Sequence, residues 1–200
     1  MTLPDVCASI PVDLDALAPP PGLFLHASRL HGQPHVARVV VHALNLVAAV
    51  GCPEEAPRVW AAAYLHDLAR RHDGYCTRHG ADAWLRLPEL PAVASLFHQA
   101  GVSEEDCPAI EYAVTIHCQG EPDPGHPHYR LAALLKDADG LDRVRLYDLN
   151  PKYLRHEAAR TMVTFARQLY ERSHKALMPG PAYFSELWPI AMQLLTQSEA

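Results

Sequence analysis

The chain of 200 residues lacks several features that would place it in a class at once. Its five cysteines, Cys7, Cys52, Cys76, Cys107 and Cys118, form no CxxC pair, so neither a disulfide framework nor a zinc knuckle is indicated. The longest apolar runs, such as VVVHALNLVAAV, are too short and too interrupted to cross a bilayer, so no membrane association is expected. The opening MTLPDVCASIPVDLD carries acids and no basic segment before a long apolar stretch, so it does not read as a signal peptide and a cytoplasmic location is expected. Positive charge is scarce: 17 Lys and Arg against 23 Asp and Glu leave a net −6, which argues against general nucleic-acid binding. Alternating β-branched stretches, a GxGxxG turn and internal repeats are all missing. The expected fold is all-α.

Two residue types are plentiful instead, with 18 prolines and 13 histidines. Prolines at 4, 11, 19, 20 and 21 forbid a long helix at the start, and residues 1–27 read as an irregular arm. Helical periodicity begins at Gln33-Pro34 and runs through Val47, with Gly51 as a C-cap. Pro53-Glu54-Glu55 opens a second helix through VWAAAYLHDLARR, whose middle is apolar on every side and therefore belongs in the core. Shorter helices are expected near 78–87 and 91–100, and a capping box at Ser103–Asp106 starts another that carries Ile110, Ala113, Val114 and His117 on one stripe. Residues 119–127 form a loop, LAALLKDADGLDRVRL is helical, and Asn150-Pro151 starts a long helix toward residue 178. A last helix is kinked or broken near Pro189. Residues 28–150 make the core, and residues 151–200 supply C-terminal helices that cover it or form a homodimer face through Trp188, Leu194 and Leu195.

The strongest local anomaly is His66-Asp67, directly after WAAAYL. Asp67 falls on the stripe of Trp60, Ala63 and Tyr64 and so points to the core, where a carboxylate is costly unless a cation or hydrogen-bond donors satisfy it. A metal ion would answer that cost; an Asp–His pair buried for stability would answer it too. A second acid ends an apolar face in LLKDADGLD, and periodicity leaves Asp137 and Asp139 both open because each face carries leucines. His35 opens a helix after the His31-Gly32 turn.

Taken in order, His35 in HGQPHVARV, His66-Asp67 in YLHDLARR and Asp139 in LLKDADGLDRVR resemble the H…HD…D pattern of the HD-domain superfamily of metal-dependent phosphohydrolases. The resemblance covers about residues 28–150 and selects Asp139 through the family's AD-x-L segment. It implies an HD-type helical bundle with extra C-terminal helices, and a divalent metal held by His35, His66, Asp67 and Asp139. Many relatives hold two ions, which makes His79, in RHGADAW, and His117 candidates for a second metal or for lining the site. His72, His126 and His128 are expected on loops near the mouth. One or two ions are implied, with Mn, Fe, Zn, Co, Ni and Mg not distinguished by mixed N/O ligation. Arg70 stands where many relatives carry a lysine or glutamate and, being always protonated, suits phosphate binding better than acid catalysis. Lys136, Arg143 and Arg38 are further cationic candidates.

The activity implied is cleavage of a small phosphoester, a nucleotide above all, by a metal-activated water. Two other readings use the same residues: a di-iron HD-domain oxygenase acting on a small polar substrate, and a non-catalytic, metal-bearing ligand sensor.

Overall fold

The computed structural model describes residues 1–198, and no strand occurs among them. Ten α-helices are present: α1 Leu3–Ala8, α2 Gln33–Val50, α3 Ala56–Leu65, α4 His79–Arg86, α5 Pro91–Gln99, α6 Cys107–His117, α7 Tyr129–Leu141, α8 Glu157–Thr161, α9 Val163–Ala176 and α10 Tyr183–Ser198. The fold is all-α. None of the described helices is long and apolar enough to cross a membrane.

Two helices lie at the centre. Helix α2 buries Val36, Val39, Val40, Ala43, Leu44 and Val47, and α3 buries Val59, Trp60, Ala61, Ala62, Ala63 and Leu65, which leaves neither a wholly solvated face. Both pack against α7, and α6 bridges α3, α4 and α7. Gly51 ends α2 in the left-handed conformation (φ 73°), which a residue without a Cβ adopts freely, and its N–H closes on Val47 and Ala48 carbonyls. An edge-to-face cluster of Trp60, Tyr64 and Phe97, with ring centroids 5.3–5.8 Å apart, joins α3 to α5.

The N-terminal arm is more ordered than its prolines suggest. Thr2 and Asp5 form a capping box, Pro4 occupies the first turn where no N–H is needed, and the short α1 results. Leu3, Val6, Ile10 and Leu17 are buried, and the Trp60 indole N–H donates to the Leu17 carbonyl at 2.9 Å. The arm is therefore part of the core.

The other departures also have local causes. Helix α3 stops at Leu65 instead of continuing past the His66-Asp67 pair, and tight i→i+3 bonds (Leu68 N–H to Leu65 O, 3.0 Å; Arg70 N–H to Asp67 O, 3.2 Å) carry the chain onward. The long helix expected after Asn150-Pro151 is divided into a turn at Pro151–Tyr153 followed by α8 and α9. The break before α8 lies at Asp137, whose carboxylate accepts the backbone N–H groups of Arg155 and His156 at 2.8 Å each and holds that segment against α7. Pro189 lies inside α10 without ending it. Helix α10 buries Tyr183, Phe184, Leu187, Ala191 and Leu194 against the core, and Trp188 and Leu195 are half-buried.

Candidate metal centre

Every candidate ligand sits at or near a helix end. His35 is in the first turn of α2, His66 and Asp67 follow the last turn of α3, His79 is the first residue of α4, His117 the last of α6, and Asp139 belongs to the last turn of α7. Short side chains in such places converge when helix ends meet, and here one close approach is decisive. A Cβ on Gly80 would lie 2.0 Å from the Val114 carbonyl oxygen and 2.9 Å from His117 Nδ1. Only glycine lets α4 come near enough to α6 for His79 Nε2 and His117 Nε2 to stand 3.0 Å apart.

Asp67 occupies the middle and offers one oxygen to each side. Its Oδ2 is 3.5 Å from His35 Nε2, 3.8 Å from His66 Nε2 and 3.2 Å from His31 Nδ1. Its Oδ1 is 3.0 Å from His79 Nε2 and 3.7 Å from His117 Nε2. Asp139 joins the first side, with Oδ1 3.3 Å from His35 Nε2. The groups His35–His66–Asp139, His31–His35–Asp67, His66–Asp67–His117 and His79–His117–Cys118 each place three donor atoms within 4.8 Å of one another. An ion with bonds of about 2.0–2.1 Å spaces its donors by roughly 2.9–3.4 Å; the contacts at 3.0–3.3 Å meet that spacing, and those at 3.5–3.8 Å would have to close by a few tenths of an ångström.

The tautomers sharpen this fit. His66 Nδ1 lies 2.7 Å from the Ala63 carbonyl, and His117 Nδ1 lies 2.6 Å from the Val114 carbonyl. A carbonyl can only accept, so each Nδ1 carries a proton and Nε2 is the nitrogen left to coordinate an ion. His35 Nδ1 is 2.7 Å from the carboxylate of Asp142, which fixes the same tautomer. The Nε2 atoms of His35 and His66 therefore face each other at 3.2 Å, beside two carboxylates and almost wholly out of solvent. A cation shared among the donors, a proton in the metal-free protein or a metal ion, removes the repulsion that facing nitrogens and carboxylates would otherwise feel. A divalent ion suits these residues.

Electrostatics agree with that geometry. Burial holds His66 at about 3, so its imidazole is neutral and free to donate a lone pair. For Asp139 burial acts upward but is overcome by the His35 hydrogen bond and the nearby imidazoles, leaving the carboxyl well below its ordinary value. Asp142 is likewise held low despite burial, by the Arg38 guanidinium foremost. Arg38 donates to its two oxygens at 2.6 and 2.9 Å, and Arg145 adds a contact at 3.4 Å. This ionised second layer locks the His35 ring.

A pocket of about 260 Å³ opens on the centre and is lined by Asp67, His79, His117, Asp139 and three arginines, Arg70, Arg143 and Arg145, with Tyr75, Cys76 and Cys118 at its wall. A neighbouring cavity shares His117, Asp139 and Arg143 with it. Arg70 turns Nε to Asp67 Oδ1 at 3.0 Å and Nη1 to the His72 and Gly74 carbonyls, so it orients the carboxylate and shapes the following loop. Arg143 is half-exposed and paired with Asp148.

Several expectations are redirected. Lys136 does not present a free ammonium: its Nζ donates to the carbonyls of Ile116, His117, Gln119 and Gly120 at 3.0–3.2 Å and so caps α6. Arg38 is buried on Asp142. Asp137 lies apart from the cluster, bound to Arg155 and His156. His126 stacks on Tyr112 at 3.6 Å with His128 alongside, and His72 is exposed; none of the three lines the pocket. His31, Cys118 and Arg145 were not singled out from sequence. His31 had a signal, since it stands one helical turn before His35.

No family model, no curated protein and no solved structure matches this chain.

Proposed function

We propose that the protein is an HD-type, metal-dependent phosphohydrolase acting on a small phosphoester, with a nucleotide as the favoured substrate class. The observation that carries this reading is the pair of facing imidazoles, His35 and His66, set between Asp67 and Asp139, the two carboxylates that line a pocket walled by arginines. The order His35, His66-Asp67, Asp139 along the chain supports it as a resemblance to that superfamily.

In this reading His35, His66, Asp67 and Asp139 would hold one ion, and His79 and His117, with Asp67 beside them, would hold a second. Such ions supply an acidified water and a counter-charge for phosphoryl oxygens. The chain's own residues do the rest. Arg143 and Arg145 stand at the pocket wall, where fixed positive charge favours an anionic group and the charge that develops on it. Arg70 and His31 hold the Asp67 carboxylate in place. Asp142, itself ionised by Arg38, keeps the His35 proton on Nδ1 so that Nε2 stays available.

The test is phosphate release from a panel of nucleotides and generic mono- and diesters, using wild type and Asp67→Ala stripped and reloaded with Mn²⁺, Co²⁺, Zn²⁺, Mg²⁺ or Fe²⁺. Metal-dependent release by wild type, reduced at least roughly a thousandfold in the variant, is expected, as for loss of a group on which the machinery depends. Silence across the panel from a protein that binds metal would remove the hydrolase. Oxygen consumption by the iron-loaded form would then favour the di-iron oxygenase, and its absence the sensor.

A further inference from the structure

The two halves of the centre are unequal in anionic donors. The half containing His35 and His66 has Asp67 Oδ2 and Asp139, whereas the half containing His79 and His117 has only Asp67 Oδ1 from the carboxylates. The residue at hand to make up the difference is Cys118. Its sulfur lies with ring nitrogens of His79 and His117 in one group no wider than 4.8 Å. We propose that Cys118 is a thiolate ligand of the ion held by His79 and His117, so that this half of the centre selects a thiophilic divalent cation, zinc above all, and discriminates against magnesium. The inference rests on the metal-centre reading above and adds to it a ligand of a different chemical type.

Three features support the assignment. First, the backbone around Cys118 is clamped: the Lys136 ammonium binds the carbonyls of Ile116 and His117 before it and of Gln119 and Gly120 after it. A ligand on a fixed backbone loses little freedom when it coordinates. Second, the thiol has no strong competing engagement. It is part-buried, lines the pocket and donates to the Thr115 carbonyl at 3.7 Å, a weak bond for a weak donor, and its other polar neighbour is the His79 ring with which it would share the ion. Third, His79 differs from the other three imidazoles. It is 3% exposed, and its Nδ1 is buried without a hydrogen-bond partner among the described residues, while His35, His66 and His117 each have an acceptor on Nδ1. The half that lacks this outer support gains most from an additional anionic ligand. Coordination forms a sulfur–metal bond and breaks the S–H bond, with the proton passing to solvent; no oxidation state changes. Soft sulfur favours zinc, cobalt or ferrous iron over the oxygen-seeking magnesium.

Cobalt reports this directly. Wild type, Cys118→Ser and Cys76→Ser would be stripped, reduced and loaded with Co²⁺ without air, and their absorption spectra recorded. A thiolate bound to cobalt adds an intense near-ultraviolet charge-transfer band to the weak visible bands that any Co²⁺ site shows. The band is expected in wild type, retained in Cys76→Ser and absent from Cys118→Ser, with visible bands present in all three. Zinc competition should show affinity at one of two sites in Cys118→Ser lowered by at least roughly ten- to a hundredfold, the range associated with losing only an outer partner of a ligand. Visible bands without the charge-transfer band in wild type would overturn the inference and leave the metal centre standing, and that result needs no variant to fold. A band lost with Cys76 instead would assign the thiolate elsewhere and overturn it too. Failure of wild type to bind Co²⁺ at all would remove both the inference and the reading beneath it.

Discussion

The Asp139 carboxylate lies 3.3 Å from His35 Nε2, while that of Asp137, one residue removed from its neighbour on α7, accepts two backbone N–H groups, an Arg155 guanidinium and the His156 ring. Opposite outcomes follow for the two substitutions. Asp139→Ala should lose the ion held by His35 and His66, keep the one held by His79 and His117, and cost the metal-free protein less stability than Asp137→Ala, because it removes one contact to His35 where Asp137 accepts from four donors. Asp137→Ala should retain metal and lose about 2–4 kcal/mol of stability, since a buried hydrogen-bonding hub is broken and its donors are left behind. Metal content by elemental analysis and thermal unfolding distinguish them, and the reverse ranking would show that the ligand has been misassigned. Periodicity alone left both acids open, because leucines lie on both faces of the helix. What separates them is the segment 154–156, which reaches Asp137 only after the chain has folded back. The carbonyls that occupy Lys136 are of the same kind: they come from the end of α6 and the loop beyond it, and no spacing in sequence announces them. His66-Asp67 was legible because an acid on an apolar stripe is a violation of pattern that one sequence suffices to reveal.

Among the elements, the α4–α6 contact governs half of the centre. The helices themselves follow from proline at first turns and from periodic apolar residues, as at Pro34, Pro91 and Pro108, and these are readable signals. The distance between two helices is not, because it depends on the smallest side chain at their crossing. Gly80→Ala would insert a methyl group 2.0 Å from the Val114 carbonyl oxygen, and backbone cannot yield as a flexible side chain does. Helix α4 must then move away from α6, separating His79 from His117. The expected result is a fall in bound metal from two ions per chain to one, with a cost of about 1–3 kcal/mol in stability from overpacking. Titration of the stripped variant with Co²⁺ or Zn²⁺ checks it; retention of two sites with unaltered affinity would mean that the second ion does not depend on this approach.

For the whole molecule, buried imidazoles couple stability to pH and to metal in a definite direction. Burial lowers His66 to about 3 and His42, which lies against Phe165 with Asp142 near it, to about 4. In the unfolded chain both titrate near 6.5, so below that pH the unfolded state takes up protons that the folded state refuses. Stability should fall on acidification by up to about 1.4 kcal/mol per pH unit for each of the two. His79 acts in the opposite sense. Burial pulls it down, but its hydrogen bonds to Asp67 and Cys118 and the Asp67 charge prevail and raise it to about 10. From about 6.5 to 10 the folded, metal-free protein therefore keeps a proton that the unfolded chain has lost, and stability declines as pH rises. The stripped protein should be most stable near pH 6.5. An ion bound by His79 takes the place of that proton, so metal affinity should increase at least about tenfold per pH unit across the same interval, and more steeply where the Cys118 thiol gives up its proton too. Calorimetric unfolding of stripped and zinc-loaded protein between about pH 6 and 9 should show melting temperatures that diverge as pH rises. Parallel curves would mean that no proton leaves His79 when metal enters, and the ion would then have to be held without it.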